Sequence, residues 1–262
     1  MRILITACCA LLAFNCTTVW TAPPREAAGQ AAGLSRESSL DEILDALDAR
    51  GESLNAFTAD VSLSETDPAT GDATIRRGKV WFQNLPQGQA RIRVMFDTKQ
   101  ANNRVIEDRI EYLLSGPDLI DRTYRTRTQV TRHVLRPGEK MNLLKLGEGP
   151  FPLPIGQDRQ DVHEQFEVKK VAPKPEDPPD TLHVQLTPKP GTRLDRRFKT
   201  IDVWVDLHNH MPRRIETLDR NESTIRATEL TNVQINPPIT DADFALPPIG
   251  QDWSTIEEAY NE

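Results

Sequence analysis

The chain has 262 residues, with 32 Lys and Arg against 39 Asp and Glu, a formal net charge of -7 and a hydrophobic share of 37%. This composition excludes a polytopic membrane protein, which needs repeated apolar runs of about 20 residues. The negative charge argues against nucleic-acid binding by bulk charge, and 3 Cys argue against a disulfide scaffold.

The N-terminal segment has the pattern of an export signal. Arg2 precedes an apolar run over 3–14, and the segment ends in two small residues, Thr21 and Ala22. The run is too short to cross a bilayer but suits the apolar region of a signal peptide. We therefore predict a cleaved signal peptide over 1–22, which contains all three cysteines, and a location in the periplasm.

Cys16 could in principle carry a lipid anchor. Phe14 and Asn15 precede it, however, where a lipid-modified cysteine needs small residues, so a lipid-anchored form is the less favoured alternative. Residues 23–37 are rich in Ala, Gly and Gln, which predicts a flexible leader. We predict that 38–262 forms a single domain.

The first periodic element of that domain predicts a helix over 39–50. Leu40, Ile43, Leu44 and Leu47 follow the i, i+3, i+4, i+7 spacing of one apolar stripe. A serine at position 38 or 39 can cap its start, and a glycine at position 51 can end it.

From residue 57 the hydrophobic period changes to two, which is typical of strands with one buried face. Polar turns separate these short segments, so an antiparallel meander is predicted rather than alternating strands and helices. The predicted strands begin with the alternating residues after Phe57 and continue over 74–82, 90–96, 105–114, 119–124, 129–135, 166–171, 182–186, 201–207, 213–218 and 223–235.

Three segments break the strand rhythm. Residues 137–161 combine a Leu cluster with an apolar loop stiffened by Gly and Pro, and such a loop must bury itself or cover something apolar. Residues 172–180 are Pro-rich and predict an extended, solvated hairpin loop. Residues 254–259 predict one more short helix, capped by Ser254 with Glu257 three residues on.

His208 and His210 are the most suggestive candidate metal ligands. A His-x-His after a strand resembles the start of a metal site in amidohydrolase-type barrels, which would make the protein a hydrolase. Only three other histidines are present, and the strand–turn–strand pattern around His208 favours a hairpin turn. No Gly-x-Ser-x-Gly elbow or phosphate-binding loop is present, so the sequence predicts no enzyme, cofactor or metal.

The arginines and the apolar residues of the strands each allow two interpretations. Alternation puts Arg91 and Arg93 on one strand face and Ile92, Val94 and Phe96 on the other. The arginines, with others over 122–136, form either an anion site or polar latch at a rim, or an exposed face balanced by acids. The apolar residues form either a ligand cavity on a covered, curved sheet or a packed core.

The last third of the chain resembles the C-terminal region of LolA-like outer-membrane lipoprotein carriers. The similar parts are the strand over 201–206, the turn to Met211-Pro212 and the closing segment over 239–253. The resemblance implies a mainly β fold with α-helices: an unclosed, strongly curved antiparallel β-barrel with helices as a lid on the concave face. It implies a non-enzymatic carrier of acyl chains of lipoproteins or lipids across the periplasm to the outer membrane.

The resemblance also implies partners and site residues. The partners would be acyl chains and inner- and outer-membrane transfer complexes, with the carrier a monomer. An RseB-like sensor or regulatory module on the same scaffold is the alternative. Arg91 and Arg93 would form the lid latch or rim. The implied ligand-binding residues are Leu40, Ile43, Leu44, Leu47, Trp81, Leu143, Leu144, Leu146, Phe151, Leu153 and Ile155.

Overall fold

A computed structural model describes residues 33–86, 89–134, 156–192 and 194–259. These residues form three helices and twelve strands. The helices are α1 (Leu40–Ser53), α2 (Arg159–Gln165) and α3 (Asp241–Phe244). The strands are β1 (Ala56–Thr66), β2 (Ala73–Leu85), β3 (Gln89–Ala101), β4 (Arg104–Ser115), β5 (Asp118–Thr123), β6 (Thr128–His133), β7 (Phe166–Val171), β8 (Thr181–Pro188), β9 (Phe198–Asp206), β10 (Pro212–Asp219), β11 (Ile225–Ile235) and β12 (Ser254–Glu258).

All twelve strands belong to one sheet that is curved and not closed. The strand order is β12-β6-β5-β4-β3-β2-β1-β11-β10-β9-β8-β7. Two antiparallel meanders, β1 to β6 and β7 to β11, are therefore joined where β1 pairs with β11. This arrangement confirms the predicted mainly β class and the predicted open, curved architecture.

Helix α1 begins where its sequence pattern places it. The Ser39 backbone N–H donates to Glu42 Oε2 at 2.6 Å, and the Glu42 N–H donates to Ser39 Oγ at 3.3 Å, which completes a capping box. The predicted stripe is buried at Ile43, Leu44 and Leu47. The helix extends beyond the predicted end because Gly51 is accommodated within its last turn.

Loss of this cap has a measurable expected cost. We expect Ser39→Ala to lower the free energy of unfolding by about 1 kcal/mol, because the Glu42 N–H loses its acceptor at the helix start. Urea unfolding followed by circular dichroism measures the change. Ser39→Asp keeps a capping oxygen and serves as the control, so an equal loss in both variants would contradict the capping role.

The hydrophobic core lies between α1 and one face of the sheet, which we call the inner face. Along β1 this face carries Phe57, Ala59, Val61 and Leu63 at alternate positions. Phe57 is fully buried, and its ring stacks on that of Phe82 in β2 with centroids 5.3 Å apart. The buried side chains of α1 belong to the same cluster, so the helix covers the inner face.

The predicted helix over 254–259 is wrong, because Ser254–Glu258 forms strand β12 parallel to β6. The preceding Trp253 packs edge-on against Tyr124 with ring centroids 5.2 Å apart. The Ser254 N–H then donates to the Arg127 carbonyl oxygen at 2.9 Å. These contacts bring Thr255 and Ile256, which are β-branched, to the edge of β6, where backbone partners outweigh the weak capping signal.

Candidate ligand-binding cavity

A cavity of about 320 Å³ opens on the inner face of the sheet. Its walls come from alternate positions of neighbouring strands, because successive side chains of a strand point to opposite faces. Most of its lining side chains are apolar: Phe57, Val61, Leu63, Val80, Ile92, Val94, Phe96, Phe198, Ile215 and Leu230.

Register explains why these distant residues meet in one wall. Val80 lies opposite Val94 in the β2–β3 pair. Val61 lies opposite Leu230 in the β1–β11 pair, which joins segments about 170 residues apart in sequence. The cavity therefore exists only because β1 connects the two meanders.

Charged side chains of the lining meet at the end of β1. Glu65 lies opposite Arg226 in the β1–β11 pair, and Arg226 Nε donates to Glu65 Oε1 at 2.7 Å. Thr217 lies opposite Arg226 on β10, and Arg197 immediately precedes β9. The other end of the β1 wall is the fully buried Phe57. The cavity thus has a charged mouth and an apolar interior.

Tyr112 contributes a partly polar wall on β4. Its ring packs edge-on against Phe96 with centroids 6.5 Å apart. Burial is the main cause that raises the pKa of the Tyr112 hydroxyl. The hydroxyl is therefore neutral at physiological pH and adds no charge to the cavity.

The predicted ligand-binding residues of α1 lie beside this cavity and do not line it. Ile43, Leu44 and Leu47 are buried in the core, and Leu40 is half-buried against it. Leu44 and Leu47 border a gap of only about 20 Å³ against α2, β8 and β9. The remaining predicted residues, apart from Trp81, lie outside the described residues: Leu143, Leu144, Leu146, Phe151, Leu153 and Ile155.

Trp81 is placed on the opposite, outer face of the sheet. Its neighbours Val80 and Phe82 are buried on the inner face, so the period of two turns Trp81 outward. There the Arg93 guanidinium lies 5.2 Å from the Trp81 ring centroid. The same alternation was already visible in the sequence, whereas the cavity residues Phe198, Ile215 and Leu230 needed the register of distant strands.

Arg91 and Arg93 also lie on the outer face, as alternation predicts. Arg91 donates to Asp241 Oδ1 at 2.8 Å, and its guanidinium lies 4.0 Å from the Phe244 ring centroid. Arg93 donates to the Asp243 carbonyl oxygen at 2.8 Å. Both arginines therefore hold the segment around α3 rather than the rim of the cavity.

Residues 240–258, which we call the C-terminal strap, start on the outer face beside β3 and end as strand β12 along the edge of β6. Arg122 donates to the Pro247 carbonyl oxygen at 2.5 Å, Arg127 pairs with Asp252 at 2.5 Å and Arg132 pairs with Glu258 at 2.8 Å. Each of these arginines thus has a different partner, and all the partners lie in the strap. This accounts for most of the arginine density that the sequence shows over 91–132.

A buried carboxylate organises the charges under the strap. Glu111 is fully buried on the outer face and accepts hydrogen bonds from Arg93 at 2.9 Å, Arg109 at 2.6 Å and Tyr124 at 2.7 Å. Burial by itself raises the pKa of Glu111, but these three bonds more than offset it and hold the pKa below its ordinary value. Glu111 is therefore the anionic centre of a closed ionic cluster.

The His208–His210 segment is a hairpin turn, as its strand–turn–strand pattern predicts. Asp206 Oδ1 accepts from the backbone N–H groups of His208 at 2.9 Å and Asn209 at 3.0 Å. His210 adopts a left-handed φ of 58°. Burial and the nearby Arg50 lower the pKa of His210. Within the described ranges, no group of His, Cys, Asp and Glu is arranged to hold a metal ion.

No helix among the described residues is both long enough and apolar enough to span a bilayer. No protein-family model and no curated protein matches the sequence.

Several solved structures are similar to this chain in fold. An uncharacterised conserved protein from Thermus thermophilus has a TM-score of 0.46 and 15% identity, covering 84% of this chain and 99% of its own. The Pseudomonas aeruginosa MucA/MucB complex matches with a TM-score of 0.43 and 12% identity, over 79% of this chain and 60% of the matched chain. The LolA superfamily protein NE2245 from Nitrosomonas europaea matches with a TM-score of 0.32 and 13% identity, over 80% of this chain and 98% of its own. Likeness at this level concerns the fold alone and leaves the ligand to the geometry of the cavity.

Proposed function

We propose that the protein is an exported, non-enzymatic carrier that binds acyl chains of lipoproteins or lipids in the inner-face cavity. In this proposal the carrier takes them across the periplasm to the outer membrane. The observation that supports it is an apolar cavity of about 320 Å³ whose charged lining residues meet at one end. That distribution suits an amphiphile with a buried tail and an exposed head.

The volume of the cavity sets the scale of the interaction. At about 30 Å³ per methylene, taken as similar to the volume of a water molecule, the cavity has room for about ten methylenes. Burial contributes about 0.8 kcal/mol per methylene, so about 8 kcal/mol before the cost of association. Burial is non-directional, so a carrier of this kind accepts chains of varied length and can release them.

Filling the cavity tests the proposal directly. We expect Leu63→Trp to weaken binding of a fluorescent fatty-acid probe at least tenfold, because the indole occupies space that the tail needs. Leu63 lines the cavity and is only half-buried, so the larger side chain is tolerated by the fold. Titration of delipidated protein lacking residues 1–22 measures the dissociation constant.

Val105→Trp is the matched control, since Val105 is an apolar strand residue that is 60% exposed and lies outside the cavity lining. Equal affinities for wild type and both variants would contradict binding in this cavity. If the wild type takes up no probe but retains a stable protein partner from envelope extract, the regulatory alternative replaces the carrier. The contacts proposed for the α1 stripe and for the apolar side chains over 143–155 stay predictions.

A further inference from the structure

We infer that the outer face of β7 to β10 carries a second binding site, which takes a small zwitterion with its ammonium group beside Asp202 and its anionic group beside Lys169 and Lys174. The site is separate from the inner-face cavity, so the inference goes beyond the proposed function. It is supported by a groove of about 500 Å³, by a buried carboxylate with an open oxygen and by lysines without partners.

Strand pairing builds the floor of this groove. Lys169 on β7 lies opposite Gln185 on β8. Gln185 lies opposite Asp202 on β9, which lies opposite Glu216 on β10. The chain neighbours of Gln185 and Asp202 are buried in the core, so alternation turns this row to the outer face. One row of side chains therefore crosses four strands, from a lysine at one side to two carboxylates at the other.

Trp204 fixes the next row of the floor and the loop beside it. Its ring stacks on that of His183 with centroids 4.2 Å apart, and the Arg214 guanidinium lies 4.9 Å from its centroid. The indole N–H donates to Asp177 Oδ1 at 2.7 Å, which holds the loop over 172–180 against the sheet. Trp204 itself is 6% exposed. The groove therefore has a floor whose side chains are already held in place by their own contacts.

Asp202 is the buried anion of the groove. It is 9% exposed, and its Oδ1 lies 2.8 Å from His183 Nε2 and accepts from Gln185 Nε2 at 2.8 Å. No donor among the described residues meets Oδ2, which is open to solvent in the groove. His183 is charged only when protonated, and the guanidinium of Arg214 is paired with Glu216 at 2.5 Å. A buried carboxylate with an open oxygen favours a cation as its partner.

Two lysines supply the opposite charge on the β7 side of the groove. Lys169 lies on β7, and Lys174 lies in the loop that follows it. Both are exposed, and neither ammonium group forms a salt bridge or hydrogen bond with another described residue. One strand separates Lys169 from Asp202, so their backbones are about 10 Å apart at about 4.8 Å per strand. One small molecule can therefore contact both charges.

The mixture of charges selects a ligand that carries both signs. The carboxylates of the lining are Glu176, Asp177, Asp202 and Glu216. An anion alone would face these carboxylates, and a cation alone would face the two lysines. A zwitterion with a short spacer places each of its charges beside the opposite charge of the groove, where the hydrogen bonds are charge-assisted.

Two zwitterions with the same two-carbon spacer test this site on delipidated protein. β-Alanine carries a carboxylate, and phosphoethanolamine carries a phosphate. Ethanolamine lacks the anionic group, whereas propionate and inorganic phosphate lack the ammonium group. The NMR shift of the Trp204 indole N–H measures each dissociation constant. We expect at least one zwitterion to bind about tenfold more tightly than its single-charge fragments, because each charged hydrogen bond adds about that factor, and the tighter zwitterion identifies the anionic group.

Two substitutions should act on the two halves of the ligand. We expect Lys169→Gln to weaken zwitterion binding about tenfold without weakening ethanolamine binding. We expect Asp202→Asn to weaken binding of the zwitterion and of ethanolamine about tenfold without weakening propionate or phosphate binding. Lys79→Gln is the control, because it removes an exposed lysine of β2 that does not line the groove.

Three results would overturn the inference: no shift with either zwitterion at millimolar concentrations, fragments that bind as tightly as the zwitterions, or equal effects of Lys169→Gln and Lys79→Gln. Circular dichroism verifies that each variant is folded. Lys169 is exposed, so its variant tests the site even if Asp202→Asn does not fold. The fatty-acid titration concerns the other face of the sheet, so none of these results decides the carrier proposal.

Discussion

Glu111→Gln is expected to lower the free energy of unfolding by about 3 kcal/mol and the melting temperature by about 10 °C. Glu111 is fully buried, and Arg93 beside it is 9% exposed. Without the carboxylate, the guanidinium of Arg93 keeps its charge in a site that excludes water. Leaving one member of a buried ion pair uncompensated is among the most destabilising single changes in a protein.

The effect of this substitution should depend on pH in a definite direction. The pKa of Glu111 is held below its ordinary value of about 4.5 in the folded protein. Its stabilising contribution is therefore fully present above that ordinary value and is lost as pH falls through the lower pKa of the folded state. The stability difference between wild type and Glu111→Gln should be constant above about pH 5 and shrink toward zero in acid.

Urea unfolding at a series of pH values measures this difference. Glu222→Gln is the control, because Glu222 pairs with Lys199 at 2.6 Å but is 56% exposed, and such surface pairs contribute about 0–1 kcal/mol. A loss of unfolding free energy for Glu111→Gln that is no larger than that of the control would contradict the role of Glu111 as a buried anion. A loss that does not change with pH down to about pH 2 would contradict it as well.

Gly78→Ala is expected to destabilise the fold by about 3 kcal/mol or more. A Cβ at Gly78 would lie 1.7 Å from the Met95 carbonyl oxygen and 2.7 Å from the Phe96 Cα, and both are backbone atoms of the neighbouring strand β3. No side-chain rotation relieves such an overlap, so the strand itself must shift. The β2–β3 register also shifts between Arg77 and Gly78, which marks a bulge.

This bulge borders the cavity, so Gly78→Ala should weaken ligand binding as well as stability. Phe96, opposite Gly78, is a lining residue, and its displacement by a shifted β3 should weaken fatty-acid binding. Thermal unfolding and probe titration measure the two effects. Lys79→Ala is the control, since Lys79 is exposed on the same strand. A Gly78→Ala protein as stable as this control would contradict the close approach of β2 and β3.

Much of the fold follows from local pattern. The stripe of Ile43, Leu44 and Leu47 with the Ser39 cap determines α1 because an i, i+3, i+4 stripe can be buried only on a helix. Alternation determines the strands, and it also assigns the faces of β3, since Ile92 and Val94 are buried inward while Arg91 and Arg93 reach the strap. The His208–His210 turn is likewise local.

Other features were beyond local pattern because they depend on partners that are distant in the chain. Residues 254–258 carry a weak helix signal, yet the edge of β6 and the contact of Trp253 with Tyr124 make them a strand. The role of Arg122 and Arg132 depends on a strap more than 120 residues away. Trp81 is a different case. Alternation in the sequence already places it on the outer face, but the resemblance to lipid carriers suggested a position in the cavity.

The sequence by itself determined α1, the strands from β1 to β11, their faces and the apolar character of the inner surface, because each depends on periods of two or 3.6 residues within one segment. Only the tertiary structure decided where the cavity lies. Its wall depends on β1 pairing with β11, which brings Val61 opposite Leu230 and Glu65 opposite Arg226. The pairing register of such distant strands is set by burial across the whole sheet, which no single segment encodes.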